Sequence, residues 1–329
     1  MIISPPCPVC EHDASQQVLE VCDGCKEANA VFTLYQCDAC RTGFLAPLPD
    51  QAALARRYQD EFFSKIERHG LISRLFGQFE GVLFQRRARL IKRLGIAPGS
   101  VLDVGCGNGK FLHAMQGNGW TIAGIEPSES GARRAKADYD LDVISDDVLS
   151  VDLPSESFDL ITMWHVLEHV PDPIAMVRHI SRWLKPDGRL LIAVPNFSGI
   201  EARILKTRWA FLDIPRHQYQ FNSNSLKIIS ERADLSTARD GLRLFEYSFP
   251  ITLLNFFSIL SGRDHMLIYN IVKKQQSARL GLGVVLRVLF VLVCTVICSV
   301  PLIVMNGLTE IAGSTNGLIV VFQRKGRAP

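Results

Sequence analysis

From residue 100 onward the chain alternates short apolar runs with stretches whose apolar positions recur every three or four residues. That is the pattern of a parallel sheet wound with helices on both faces. The apolar runs predict strands over 101–104, 121–125, 142–144, 158–163 and 189–194, a sixth at 242–248 and a final one at 317–324, seven in all. The periodic stretches predict helices near 108–117, 128–138, 173–184 and 223–233. The helix at 173–184 is the best punctuated. Asp172 offers an N-cap, Pro173 suits the first position, Ile174, Val177, Ile180 and Leu184 repeat at helical spacing, and Pro186-Asp187-Gly188 ends it. Ahead of this alternation, residues 51–98 read as a helical cover or linker. Leu71, Leu75, Phe79, Leu83, Ile91 and Leu94 carry the apolar stripe, and Gly95 with Pro98-Gly99 breaks it.

Composition excludes little beyond disorder. The 329 residues carry 36 Lys+Arg against 33 Asp+Glu, a net charge of +3, and 47% are hydrophobic. No global electrostatic case exists for a nucleic-acid partner. The mean hydropathy of +0.14 is concentrated between Leu280 and Met305. The nine cysteines change the picture more. Six fall in three C-x-x-C pairs within the first forty residues, preceded by no basic n-region or apolar h-region, so a reducing cytoplasm and a metal are expected rather than bridges. Cys7-x-x-Cys10 and Cys37-x-x-Cys40 have the knuckle spacing of tetrahedral zinc, and the intervening Cys22-x-x-Cys25 leaves two thiols over. Zinc would serve as a structural staple for a module too small to fold by burial alone. Acidic Glu11, Asp13, Glu20 and Asp23 argue against a phosphate backbone as its partner.

The run Val101-Leu-Asp-Val-Gly-Cys-Gly-Asn-Gly109 sets a buried strand before a glycine turn and a helix, a place where backbone N–H groups can meet a ligand closely. It is not the dinucleotide fingerprint, because Lys110 stands where the third glycine is required. Asp103 suits a cationic ligand rather than a pyrophosphate. Glu126 ends the second strand where an acid can accept both hydroxyls of a ribose, and Asp147 follows the third strand where an adenine amino group would be read. Together the three acids point to an adenosine with a positive tail.

On those residues the chain resembles the class I S-adenosylmethionine-dependent methyltransferases, through Val101–Gly109, Gly124-Ile-Glu-Pro127, Ser157–Pro173 and Leu184–Asn196. The resemblance implies an α/β, Rossmann-like seven-stranded sheet, mostly parallel with an antiparallel last strand. It implies S-adenosyl-L-methionine as cofactor, held by Asp103, Gly105, Gly107, Glu126 and Asp147, with Trp164 and His165 flanking the sulfonium. Cys37–Pro47 resembles the second knuckle and exit of zinc-ribbon-bearing members, which implies Cys7, Cys10, Cys37 and Cys40 as the zinc ligands. The expected units are a zinc-ribbon module at 1–50, the linker at 51–98, the cofactor-binding core at 99–248, an apolar helical insertion at 249–314, and the last strand and tail at 315–329.

Methyl transfer needs alignment and dry surroundings more than a nucleophile, and a hydroxyl acceptor adds the need for a base. His165 and His217 are the candidate catalytic residues, and Arg216 beside His217 suits a phosphate or carboxylate. His165-x-x-Glu168-His169 resembles the position of an E-x-x-E-H motif that holds a divalent cation in ubiquinone-type O-methyltransferases. With His165 in place of the first Glu, local hydrogen bonding at a strand exit is the favoured reading.

Val288 to Thr309 carries no charge, within the length needed to cross a bilayer. A single crossing would strand the last strand on the wrong side, so a re-entrant hairpin or an in-plane helix pair turning near Pro301 is expected, with Arg263, Lys273, Lys274, Arg279 and Arg287 facing headgroups. The expectation is therefore a peripheral or monotopic enzyme at the inner face of a membrane, acting on a small-molecule, lipid or lipid-linked acceptor. A soluble sugar-nucleotide substrate is the alternative, and a non-catalytic membrane scaffold the alternative from another class. No nucleic-acid partner is expected, and the sequence leaves the oligomeric state open.

Overall fold

The computed structural model describes residues 4–22, 31–51, 71–242 and 315–325, with isolated positions at 54, 293, 304 and 307. A first, four-stranded sheet contains β1 (Ser15–Cys22), β2 (Val31–Cys37) and β3 (Gly43–Ala46) in antiparallel order. Helix α1 (Leu71–Arg93) then leads to the main unit: β4 (Ser100–Val104), α2 (Lys110–Gln116), β5 (Thr121–Ile125), α3 (Glu129–Tyr139), β6 (Phe158–Trp164), α4 (Pro173–Ser181) and β7 (Leu184–Pro195). It continues through α5 (Ile200–Leu205), β8 (Tyr219–Gln220), α6 (Ser223–Arg232), β9 (Leu235–Leu242) and β10 (Gly317–Arg324).

The main sheet runs β5-β4-β6-β7-β10-β9, with β5, β4, β6 and β7 parallel and β10 antiparallel to both neighbours. Strands covered on both faces are apolar throughout. Val101, Leu102 and Val104 of β4 and Leu190, Leu191, Ile192 and Val194 of β7 are fully buried. The local signals hold where they are physical caps. Asp172 accepts from the N–H groups of Ile174 and Ala175, with Pro173 at the first helical turn, and Asn222 forms a reciprocal capping box with Ser225.

Three expectations change. The strand at 142–144 is a single parallel bridge, Ile125 to Ile144, so the sheet has six strands among the described residues. Ile144 is exposed and Asp142 faces water, leaving too little apolar surface there for a longer edge. The helix expected to reach 184 stops at Ser181, because Leu184 belongs to β7. There Gly188 lies so close to Phe158 that an added Cβ would sit 2.9 Å from its carbonyl oxygen. The strand placed at 242–248 starts earlier, since β9 covers Leu235–Leu242 as a half-exposed, largely polar edge paired with β10. Residues 243–248, most of the expected 249–314 insertion and the linker region 55–70 lie outside the described residues. No helix among the described residues is long and apolar enough to cross a membrane.

The two sheets are joined through β8, which pairs antiparallel with β3 at Gly43–Gln220 and Phe44–Tyr219. The loop after β7 thus completes the N-terminal sheet and holds it against the core.

Close packing under β5 gives a test. A Cβ added at Gly124 would lie 2.7 Å from Leu112 Cδ1, 2.8 Å from Cys106 Sγ and 3.1 Å from Val143 Cγ1. Overpacking of this kind costs about 1–3 kcal/mol. Gly124→Ala is expected to lower the thermal midpoint by roughly 2–4 °C per kcal/mol lost. Scanning calorimetry of the two proteins checks it.

Candidate functional site

Parallel strands deliver their chain ends to one edge of a sheet, and β5, β4, β6 and β7 do so here. Beyond β4 the chain turns through Gly105, Gly107 and Gly109 with φ of 72°, 57° and 77°. At Gly105 a Cβ would meet Val166 Cγ2 at 2.5 Å, whereas at Gly107 it would meet nothing within 4 Å, so bare backbone there faces open space. Asp103 is 3% exposed and accepts a 2.6 Å hydrogen bond from Thr162 Oγ1. Burial pushes its carboxyl up to about 7, against the opposing pull of that bond and of the Arg87 charge. Glu126 is buried as well. Its Oε2 accepts from Gly107 N at 2.7 Å and its Oε1 from Ser128 N at 2.9 Å; burial raises its pKa and the two N–H bonds oppose the rise. Asp147 is exposed and caps the turn Val148–Ser150 through Leu149 N at 3.1 Å.

Trp164 closes the floor beside Asp103. It meets Phe111 edge-on with ring centroids 5.4 Å apart, and its buried indole Nε1 has no partner among the described residues. Arg87 of α1 lies over its ring, 4.5 Å from the centroid, and 4.7 Å from that of Phe84. Sequence reading missed Arg87. The apolar stripe of α1 marked the helix as a cover, and no local signal separates this arginine from its neighbours Arg86 and Arg89.

On the other side of Trp164, His165 adopts a left-handed conformation, φ 58°, and its ring stacks on Phe211 at 5.5 Å and 15°. Its Nδ1 lies 3.1 Å from Glu168 Oε1. Glu168 is 1% exposed and its Oε2 has no partner among the described residues. Burial alone would raise its carboxyl; the His165 hydrogen bond, with the charges that the imidazoles of His165, His169 and His217 carry once acid protonates them, outweighs this and brings it down to about 2. An ionised Glu168 only accepts, so Nδ1 of His165 carries the proton and Nε2 is the basic nitrogen. His169 Nδ1 donates to the Arg216 carbonyl at 3.0 Å and His217 Nδ1 to that of Phe211 at 2.6 Å, with the two rings 4.7 Å apart. Burial lowers both imidazoles, His217 to about 3, so both are neutral near pH 7. Arg216 pairs with Asp213. Of the motif read as a possible cation site, Glu168 and His169 converge with His217, their ligand-type atoms lying within 4.8 Å of one another, while His165 stands outside that trio. Both imidazole Nδ1 atoms are engaged by backbone carbonyls.

Gln218, unnoticed in the sequence, ties this wall to the N-terminal sheet. Its N–H donates to the Glu168 carbonyl at 2.9 Å and its Nε2 to the His169 carbonyl at 2.7 Å, while its own carbonyl accepts from Leu45 N at 3.0 Å. Nothing in the run Ile214–Gln220 signals that role, which arises only when β8 joins β3. In the same module Cys7 Sγ lies 3.5 Å from Cys40 Sγ and Cys10 Sγ 3.5 Å from Cys37 Sγ, all four within 4.8 Å. Sulfurs around a tetrahedral ion bound at 2.3 Å stand about 3.8 Å apart, so the set fits a zinc ion. The hydrogen bond from Cys7 and a further one from Thr42 hold the Cys40 thiol down to about 4, while the same Cys7–Cys40 bond and burial push Cys7 up. Cys22 ends β1, and Cys25 lies outside the described residues.

Residues 77–239 match the family model of a methyltransferase domain. A ubiquinone biosynthesis O-methyltransferase of Pseudomonas fluorescens is 35% identical over 112 residues, covering 32% of this chain and 48% of that protein. The same enzyme of Actinobacillus pleuropneumoniae is 38% identical over 115 residues, covering 32% and 49%. The chain thus spans about half the length of these relatives. A magnesium protoporphyrin IX methyltransferase structure from Synechocystis, with bound SAH, is 17% identical with a TM-score of 0.46, covering 59% of this chain and 94% of that one. Between the helix that carries Arg87 and the edge strand β9, this chain contains a methyltransferase domain of the class I S-adenosylmethionine-dependent kind, similar to the ubiquinone-type O-methyltransferases.

Proposed function

We propose that the protein transfers the methyl group of S-adenosylmethionine to a hydroxyl of a small, lipid or lipid-linked acceptor. The observation that carries this reading is the buried Asp103, held by a side-chain hydrogen bond from Thr162 and the charge of Arg87 that do not offset its burial, beside a glycine turn open at Gly107. A carboxylate with this little water favours a cationic ligand. The donor, when bound, supplies a methyl on a positively charged sulfur, already activated for in-line displacement. Asp103 would hold the donor's cationic tail, and Glu126, fixed by Gly107 and Ser128, would offer its remaining lone pairs to ribose hydroxyls. Asp147 would read the adenine from the rim. Arg87, spread over Trp164, would meet the donor's carboxylate and close the floor from above.

His165 would take the acceptor proton at Nε2, while Glu168, bonded at Nδ1, sets the tautomer and stabilises the imidazolium formed. His217 forms part of the acceptor wall, because an imidazole held near 3 is a weak base at neutral pH. Cys7, Cys10, Cys37 and Cys40 would hold a structural zinc, which fixes β3 and, through β8, the His217–Gln218 segment. The lipid character of the acceptor is supported by the uncharged tract Val288–Thr309, which belongs to a segment leaving and rejoining the core at the edge where β4, β6 and β7 end.

Three outcomes test the reading. Asp103 must ionise to hold a cation, so donor affinity should rise as pH increases through about 7 and level off above it; Asp103→Asn should weaken binding and flatten the profile. Titration calorimetry between pH 5.5 and 8.5 measures both, and wild-type affinity that falls with rising pH would refute the assignment. With methyl-labelled donor and a membrane extract, label should enter the organic phase. His165→Gln should slow that transfer by roughly 10²–10⁴-fold. The purified chain should carry one zinc, lost in Cys7→Ser and Cys37→Ser and kept in Cys22→Ser and Cys25→Ser, as read by elemental analysis.

A further inference from the structure

The segment that follows β7 carries Arg203, Lys206 and Arg208, all exposed, around Ile204, which is 69% exposed. Among the described residues no carboxylate pairs with any of the three cations. Of the nearby acids, Glu201 is buried and Asp213 is paired with Arg216. Ile204 is thus a large aliphatic side chain held out in water beside cations that no carboxylate neutralises among the described residues. Both ends of this segment are fastened to the residues where the chain returns from its apolar tract. Asn196 donates from its backbone N to the Asn316 carbonyl at 2.8 Å and from Nδ2 to the Thr315 carbonyl at 2.9 Å. Gly199 lies so near that a Cβ would sit 2.8 Å from the Thr315 oxygen, and Trp209 Nε1 donates to Asn316 Oδ1 at 3.3 Å. The tract left the core at Leu242, which pairs with Ile319 on the adjacent strand. Within it Val293 and Val304 are helical and more than half exposed.

We propose that the turn Arg203–Arg208 is a docking surface for an anionic phospholipid bilayer, with Ile204 entering the acyl boundary and the three cations meeting headgroup phosphates. The inference rests on the lipid-linked reading of the acceptor and adds where the bilayer sits: against the sheet edge that carries His165 and Asp103. Nucleic acid would also meet the cations, yet it has no use for an exposed isoleucine or a charge-free tract.

Vesicle co-flotation of the full chain tests the surface. Vesicles containing phosphatidylglycerol should carry the protein up the gradient, with binding weakened by salt, and vesicles of phosphatidylcholine alone should bind more weakly. Each Lys or Arg contributes roughly fivefold at an anionic surface, so the combined Arg203→Gln, Lys206→Gln and Arg208→Gln variant should lose about a hundredfold in partitioning. Ile204→Ser should weaken binding to both vesicle types. Failure to float, equal binding to the two vesicle types, a triple variant that floats like the wild type, or preferential capture by single-stranded RNA would each overturn the proposal. Calorimetric donor titration of the same samples reads the methyltransferase assignment separately. Intact donor binding with failed flotation removes only the docking surface, and lost donor binding in the wild type removes the assignment itself.

Discussion

A carboxyl group almost sealed from water at the end of β4 governs the arrangement around it. Asp103 has one hydrogen bond, from Thr162 on the neighbouring strand, and the field of Arg87 across the turn. Burial of an acid with so little compensation is unfavourable in an empty site and becomes favourable once a cation arrives. The surroundings are consistent with that tension. Glycines replace side chains where a ligand would approach, Val166 fills the space behind Gly105, and Trp164 provides a flat apolar wall on which Arg87 rests. The same residues that exclude water from Asp103 would strengthen every electrostatic contact it makes with a bound donor.

The N-terminal module is part of the site's wall rather than an appendage. Its strand β3 accepts β8 from the core, and Gln218, one residue ahead of β8, bonds to Leu45 on one side and to the carbonyls of Glu168 and His169 on the other. Asn222 adds a bond from its Nδ2 to the Cys40 carbonyl at 3.1 Å, and Arg232 one to the Val9 carbonyl at 2.9 Å. Backbone and side-chain hydrogen bonds therefore tie the module that carries the four sulfurs to the segment of the histidine cluster.

Much of this was legible in the chain because the causes are local. The strand before the glycine turn, the cap at Asp172 and the apolar β10 each depend on residues adjacent in sequence. Where the reading failed, the cause lay outside the local window. Leu184 continues the helical spacing of α4 yet is drawn into β7 by pairing with Phe158. Polar β9 pairs along β10, and Asp142-Val-Ile144, with Asp142 and Ile144 exposed, forms only one bridge. In the site, the acids and Trp164-His165 announce themselves beside glycines and strand ends. Arg87 and Gln218 act through partners far away in sequence, so their residue types alone carry no message.

The antiparallel setting of β10 has an architectural consequence. Leu242 and Ile319 are neighbours on adjacent strands, so the sheet brings the two ends of the connection between them together. The entropic cost of such a loop grows only with the logarithm of its length, each doubling adding about 0.6 kcal/mol. The connection can therefore lengthen, shorten or be exchanged for another with little strain on the scaffold beneath, which leaves the catalytic frame intact while the sequence between its last two strands changes.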